Sequence, residues 1–367
     1  MKTVVAINPR HEQAQKIPSL GGLSFGDTII EFGVIQVSEP TFNIEDEANN
    51  DFVLLKVKSF SCNYRDKALL LENYISLQKY NRAFLPFGSE FCAEVIKVGK
   101  YVHEFNFGDV VMADNSYPHS GESGVKPGVA TNFSSLGWLR LHKKKIIKKP
   151  ASLTNSEAAA FSLGAQTATG MINKSEILKN GGTPLVLSSR SNTSLFIIQQ
   201  LLSHDIIPIC LTTSNWTQED KQRIYPCKIL NLTEVLEGVE MVKEDITHVF
   251  DPFCDMNMEY GLYLLGYSGV YITCGLRDQH PKMTSESSDD ILSSIRGSLS
   301  MIIMKNIIMK GNCLGSHQDL VDAIRIQNTS DKGLILDKVY SLNQSIEFIK
   351  SSFFDATRFG KSVIETD

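Results

Sequence analysis

Two hydrophobic periodicities divide the chain. Up to about Pro150, apolar and polar residues alternate in short runs such as FVLLKVKSFSC (52–62) and AEVIKVGKYV (93–102), interrupted by the turn signals FGDVV and KPG. A period of two in short runs predicts a β-rich segment with half-buried strands. From LTNSEAAAFSLGAQTATGMINKSEIL (153–178) onward, helical stretches alternate with the strand candidates TPLVLSS, IIPICLTT, THVFDPF and GVYITCGL. Alternating β and α predicts a parallel, doubly wound sheet. Farther on, LSMIIMKNIIMKGNCLG (299–315) reads as strands, SHQDLVDAIRIQ and SLNQSIEFIKSSF as helices, and GKSVIE as a closing strand. No internal repeat or low-complexity tract interrupts this order.

Thr154 stands three residues before Glu157, the spacing of a capping box, ahead of the helix formers Ala158 to Ala160. A second helix follows directly on the run Leu185, Val186, Leu187, which is the setting a dinucleotide fingerprint needs. Where that fingerprint would carry glycines stand Ser188, Ser191 and Ser194. In the usual form, the glycines permit a tight turn, close approach of backbone to pyrophosphate, and close helix packing. Serine is the next smallest polar residue, and its hydroxyl can cap the helix or donate to a phosphate. Asn192 is expected to accept positive φ in place of glycine. The turn Ser188, Ser189, Arg190, Ser191, Asn192, Thr193, Ser194 is therefore a candidate nucleotide cradle, the alternative being a retained fold that has lost its nucleotide.

Composition excludes several function classes. A net charge of −5 offers no global basic field for nucleic acid or an anionic membrane surface. The run His142 to Lys145, with Lys148 and Lys149, reads as a solvated strand edge, the alternative being a part in steering an anionic substrate. No uncharged apolar segment approaches the roughly 20 residues that span a bilayer. The seven scattered cysteines form no CxxC pair, which suits a reducing cytoplasm.

The order SCNYRD, FGSEFCAEVIKVGKYVHEFNFGDVVMA, ASLTNSEAAAFSLGAQTATG and the strand-turn-helix at 185–201 resembles the landmarks of the medium-chain dehydrogenase/reductase superfamily over nearly the whole chain. Gly88-x-Glu90, Gly99 and Phe107-Gly108-Asp109-Val110 are its most specific part. The resemblance implies an α/β protein: a GroES-like β-rich catalytic domain from residues 1–164 and 316–367, and a Rossmann doubly wound parallel sheet domain from 165–315. The active site would lie in the cleft between them.

Many members of that superfamily hold a catalytic zinc on three protein ligands with an open fourth position. In this chain the three slots fall on Asn63, Ser89 and Ala165, none of them a thiolate or imidazole. Cys62, one position from the first slot, turns to the opposite face if the segment is extended. A metal shared by Cys62, Cys92, Glu90 and His119 is the competing arrangement. The four-cysteine lobe of a structural zinc is also missing from 113–133. The expected metal set is therefore none.

Asn63-Tyr64-Arg65-Asp66 resembles the Asn-x-x-Asp element of the zinc-free, quinone-reductase-like branch, so Asn63, Tyr64 and Asp66 are the expected catalytic residues. A conjugated alkene or quinone carries its own electron sink, so orientation and one proton donor suffice for hydride transfer. Tyr64 is either that donor or a rim tyrosine of the core. At the end of the second strand Thr212, Thr213 and Ser214 stand where an NAD enzyme would place a carboxylate, with Lys221 and Arg223 following. Hydroxyls and cations suit a 2′-phosphate, so NADPH is the expected cofactor. The resemblance adds Thr169, Gly275 and Lys361 to the expected cofactor contacts.

The SNTSLF form of the fingerprint resembles the lantibiotic dehydrogenases that reduce dehydroalanine to D-alanine. The substrate is thus expected to be a small molecule or a modified peptide, for which the Gly- and Ser-rich segment 113–131 could line a groove. A quinone or enoyl reductase, a zinc-dependent dehydrogenase and a non-catalytic binding protein remain as alternatives. A cytoplasmic homodimer is expected, with 299–311 needing cover at a sheet edge.

Overall fold

A computed structural model describes residues 1–238, 242, 245–278 and 288–366. The β-rich part holds two sheets. A four-stranded antiparallel sheet runs in the order Ser19–Phe25, Thr28–Gln36, Lys2–Ile7, Phe84–Leu85. A seven-stranded sheet has Phe52–Ser61 and Glu90–Val98 at its centre and takes in Lys361–Glu365 from the far end of the chain. Its register sets Ser61 opposite both Glu90 and Val363. Residues about 270–300 positions apart in sequence are thereby brought to one corner.

The third sheet has six strands, all parallel, in the order Lys228–Asn231, Ile209–Thr212, Pro184–Val186, Ile246–Asp251, Leu265–Thr273, Ile308–Gly311. Counting its own strands in chain order, that is 3-2-1-4-5-6, the doubly wound order with its switch point beside the first strand. Leu185 and Leu187 pack to one side of the sheet and Val186 to the other. Burial on both faces explains why this run is continuously apolar.

The two halves are joined by the helix Asn155–Ser175, nearly all of it buried, which opens on the Thr154–Glu157 capping box. A Cβ at Gly164 would stand 2.6 Å from Asn192 Nδ2 and 2.9 Å from Phe196, so only glycine lets this helix meet the one that follows the serine turn. No helix among the described residues is long and apolar enough to cross a membrane.

Two expected elements differ. The segment 299–305 is the end of a helix, Ser288–Lys305, and only Ile308–Gly311 is strand. Its apolar run is too short to tell a helix stripe from a strand by periodicity alone. Tyr64–Lys79 is a helix inside the part read as β-rich, so Cys62 and Asn63 form a corner between strand and helix, where the face-alternation argument does not apply.

Candidate active site between the two sheets

A cavity of ≈ 890 Å³ opens between the sheets, within the range of a small-ligand site. The SCNYRD corner, the loop 124–133, the linking helix at Leu163 and Thr167, the serine turn at Ser191 to Thr193, and the strand end at Cys274 to Leu276 all line it. A smaller cavity of ≈ 130 Å³ lies beyond the serine turn and shares Tyr64, Ser191, Phe253 and Arg358 with the first.

Beneath the floor of the large cavity, which Asn63 and Lys361 line, five side chains converge. The Lys361 ammonium donates to Asn63 Oδ1, and to Glu90 Oε2 at 3.1 Å. Asn63 Nδ2 donates to Ser89 Oγ at 3.1 Å and Glu90 Oε2 at 3.3 Å. Glu90 Oε1 accepts from the Leu163 amide at 2.8 Å, which ties the cluster to the linking helix. Asp66 accepts from the Asn63 amide at 2.8 Å and from Ser89 Oγ at 2.6 Å. Burial raises the Asp66 carboxyl above its ordinary range, although Arg65 and these hydrogen bonds pull the other way. Asp66 does not line the cavity; it positions Asn63.

Tyr64 borders both cavities, its ring edge-on to Phe253 at 5.1 Å. Burial pushes the Cys62 thiol well up and the Cys92 thiol up to about 12, so both behave as small apolar residues. His119 is exposed on the surface. The competing ligand set of Cys62, Cys92, Glu90 and His119 therefore does not assemble. Among the described residues, the grouping with ligand spacing is instead Asp51, Glu122 and His142.

The catalytic zinc common in this fold does not fit the donors present. Ala165 is fully buried within the linking helix, Ser89 is spent on Asp66, and Asn63 already accepts from an ammonium. A second cation there would meet the charge of Lys361, with both nearby carboxylates already engaged, Glu90 by Lys361, Asn63 and the Leu163 amide, and Asp66 by Ser89, the Asn63 backbone and Arg65.

A dinucleotide does fit. Ser188 holds φ +46°, so it, and not Asn192, takes the left-handed position of the turn. Asn257 Nδ2 donates to Ser188 Oγ at 3.0 Å and steadies it there. Ser191 caps the helix Asn192–Ser203 by accepting from the Ser194 amide. Of the three serines, Ser191 borders both cavities and Ser188 the smaller one. Ser194 is buried beneath, donating to the Leu187 carbonyl at 2.8 Å, as Ser189 does to Leu211 at 2.7 Å. The third serine thus does the work of close packing, in line with the third glycine of the usual turn. Asn192 and Thr193 open the helix at the cavity wall, where amides and dipole favour an anion. A Cβ at Gly275 would lie 2.9 Å from the Pro252 carbonyl oxygen, so a side chain at this cavity-lining position would crowd that backbone.

Thr212, Thr213 and Ser214 line the smaller cavity. Lys221 does not, and Arg223 donates instead to the Leu334 carbonyl. Arg190 borders the cavity but is paired with Asp220 at 3.0 Å and lies against Trp216 and Phe359. Arg277 and Arg358, which sequence reasoning missed, supply further cations. Thr169 faces away, its hydroxyl bonded to Ala165 and Gln200 inside the helix pair. Thr167, one half-turn earlier, is the residue at the cavity.

Residues 49–140 match the family described as the alcohol dehydrogenase GroES-like domain. Over 353 residues, 91% of this chain and 96% of the relative, the chain is 23% identical to a zinc-type alcohol dehydrogenase-like protein of Schizosaccharomyces pombe. Its fold is shared with a putative alcohol dehydrogenase from Sinorhizobium meliloti 1021 (TM-score 0.71, 18% identity, covering 100% of this chain and 97% of that one). It is shared also with 2-octenoyl-CoA carboxylase reductase CinF in complex with NADP and 2-octenoyl-CoA (TM-score 0.70, 17% identity, 99% and 87%).

Proposed function

We propose that this chain is a medium-chain dehydrogenase/reductase, an NADPH-dependent oxidoreductase that reduces an activated C=C bond without a metal. The Lys361–Asn63–Glu90 cluster carries this reading: the catalytic corner presents an amide and an ammonium where a zinc enzyme of this fold would need thiolate or imidazole. The neighbour solved with NADP and an enoyl-CoA supports the combination of cofactor and conjugated alkene.

Bound NADPH would supply the hydride. Ser191, Asn192 and Thr193 would hold its pyrophosphate, and Gly275 would leave room for the ring beside Asn63. Thr212 to Ser214 with Arg277 would take the ribose and 2′-phosphate, since no carboxylate ends that strand. Tyr64, whose hydroxyl has no protein partner among the described residues, is the proposed proton donor to the second carbon. Lys361 and Glu90 hold Asn63 in place. Candidate alkenes are dehydroalanine in a modified peptide, enoyl esters and quinones.

Titration by nicotinamide fluorescence tests the cofactor half. NADPH should bind at least tenfold more tightly than NADH, about 1.4 kcal/mol, within reach of one or two charge-assisted bonds to the 2′-phosphate. Equal affinities would refute the assignment of the smaller cavity.

A further inference from the structure

The wall of the large cavity opposite the serine turn is basic, against the net charge of −5 for the whole chain. Arg65, Lys126, Arg140, His142 and Lys145 border it on the GroES-like side, and among the described residues no aspartate or glutamate lines the cavity. Two of these side chains have acidic partners: Arg65 is 3.3 Å from Asp66, and His142, whose imidazole burial holds below its ordinary pKa, is 3.5 Å from Glu122. Arg140 is held by neutral groups, Asn49 Oδ1 at 2.7 Å and the Ala48 carbonyl, with its guanidinium over Phe52.

Lys145 is the outlier. In sequence it belongs to a run that reads as a solvated edge, yet it is only 7% exposed. Its ammonium donates to the Gly128 carbonyl at 2.7 Å and has no carboxylate within ion-pair reach among the described residues. Asp114 attracts it from farther off, but that carboxylate is engaged by His317, Ser116 and Gln166. Burial lowers the Lys145 pKa from its ordinary value, more than Asp114 raises it. A buried ammonium satisfied by one neutral carbonyl is costly to keep unless an anion completes it. The dinucleotide phosphates do not meet this need, because their cradle is the serine turn on the other wall.

We propose that the substrate carries a carboxylate, received by Lys145 together with the Lys126 loop while the reacting double bond lies at Asn63 and Tyr64. The proposal rests on the reading of the cleft as the reduction site, and it adds the chemical class of what enters. A cavity of ≈ 890 Å³ has room for both ends of such a molecule beside a nicotinamide.

The test uses two esters of (E)-hex-2-enedioic acid: the 1-methyl monoester, which keeps a free carboxylate at C6, and the neutral dimethyl ester. Their affinities are measured by calorimetry with and without NADP⁺, and their turnover is followed separately with NADPH. The monoester should bind at least tenfold more tightly than the dimethyl ester. That ratio should fall toward one in Lys145→Gln, and by at least threefold in Lys126→Gln, an exposed position that keeps the test valid if the buried substitution unfolds the chain. Equal binding of the two esters, or a ratio unmoved in every folded variant, would overturn the proposal. Lysine-dependent monoester binding without turnover would support it while sinking the reductase reading.

Discussion

Lys361 and Glu90, from opposite ends of the chain, meet as a buried ion pair at 3.1 Å, with side chains 3% and 0% exposed. Removing one partner leaves an uncompensated buried charge, which costs about 3–5 kcal/mol, whereas removing both is far milder. Glu90→Gln should therefore lower the urea midpoint strongly, and Glu90→Gln with Lys361→Met should be more stable than the sum of the single losses. Strictly additive losses would mean that the two charges do not depend on each other.

Ser191 is both a helix cap and the cavity-lining member of the serine turn. Ser191→Gly restores the usual fingerprint residue, costs only a few tenths of a kcal/mol as a cap, and should keep NADPH binding. Ser191→Leu should lose about 1 kcal/mol of stability with the cap and fill the pyrophosphate position, abolishing binding in a folded protein. Unchanged NADPH affinity in folded Ser191→Leu would move the cofactor elsewhere.

Much of this was legible in the sequence, and the limits are physical. The period-two and alternating β/α patterns predicted the sheets, and the strand-turn-helix context located the serine turn that borders both cavities. Which serines face the cavity was not legible, because that depends on where φ turns positive, and Ser188 takes that position in place of Asn192. Thr169 and Thr167 are two residues apart on one helix, and only the packing of Gln200 decides which of them turns inward. Arg277, Arg358 and Lys145 were hidden for a related reason: their roles come from long-range placement, and a lysine run has no local signal that one member is buried. The helix Tyr64–Lys79 interrupts the β-rich part although Leu70, Leu71, Tyr74 and Leu77, all buried, recur at helical spacing.

His317 and Asp114 join the first turn of the helix His317–Thr329 to the strand Val110–Ala113. Burial alone would raise the Asp114 carboxyl, but hydrogen bonds from His317 and Ser116 outweigh it and hold the carboxyl below its ordinary range. The same bond raises the His317 imidazole, burial opposing. Asp114 therefore contributes stability above its unfolded pKa of about 4, lost as pH falls through the lower folded value. The His317 contribution is complete below its unfolded pKa of about 6.5 and is lost as pH rises through the higher folded value. The Tm difference between the wild type and His317→Asn should peak between those limits and shrink on both sides. A difference that does not vary with pH would contradict the ionic link.

The strand Ile308–Gly311 is the outer strand of the parallel sheet, with Ile308 and Met309 exposed and Ile303 and Met304 beside it 75% and 74% exposed. We propose a second copy of this chain as the cover, as an apolar sheet edge requires. Light scattering at micromolar concentration should give a dimer, and Ile308→Lys should shift it to monomer. A wild-type monomer would refute this assembly.

The central claim, hydride delivery without a metal, is tested most directly by the rate of NADPH oxidation with a conjugated alkene, using protein whose zinc content has been measured before and after chelation. The expected result is well under one zinc per chain and an unchanged kcat/KM after chelation. Stoichiometric zinc, with activity lost on its removal and regained on its return, would contradict the account.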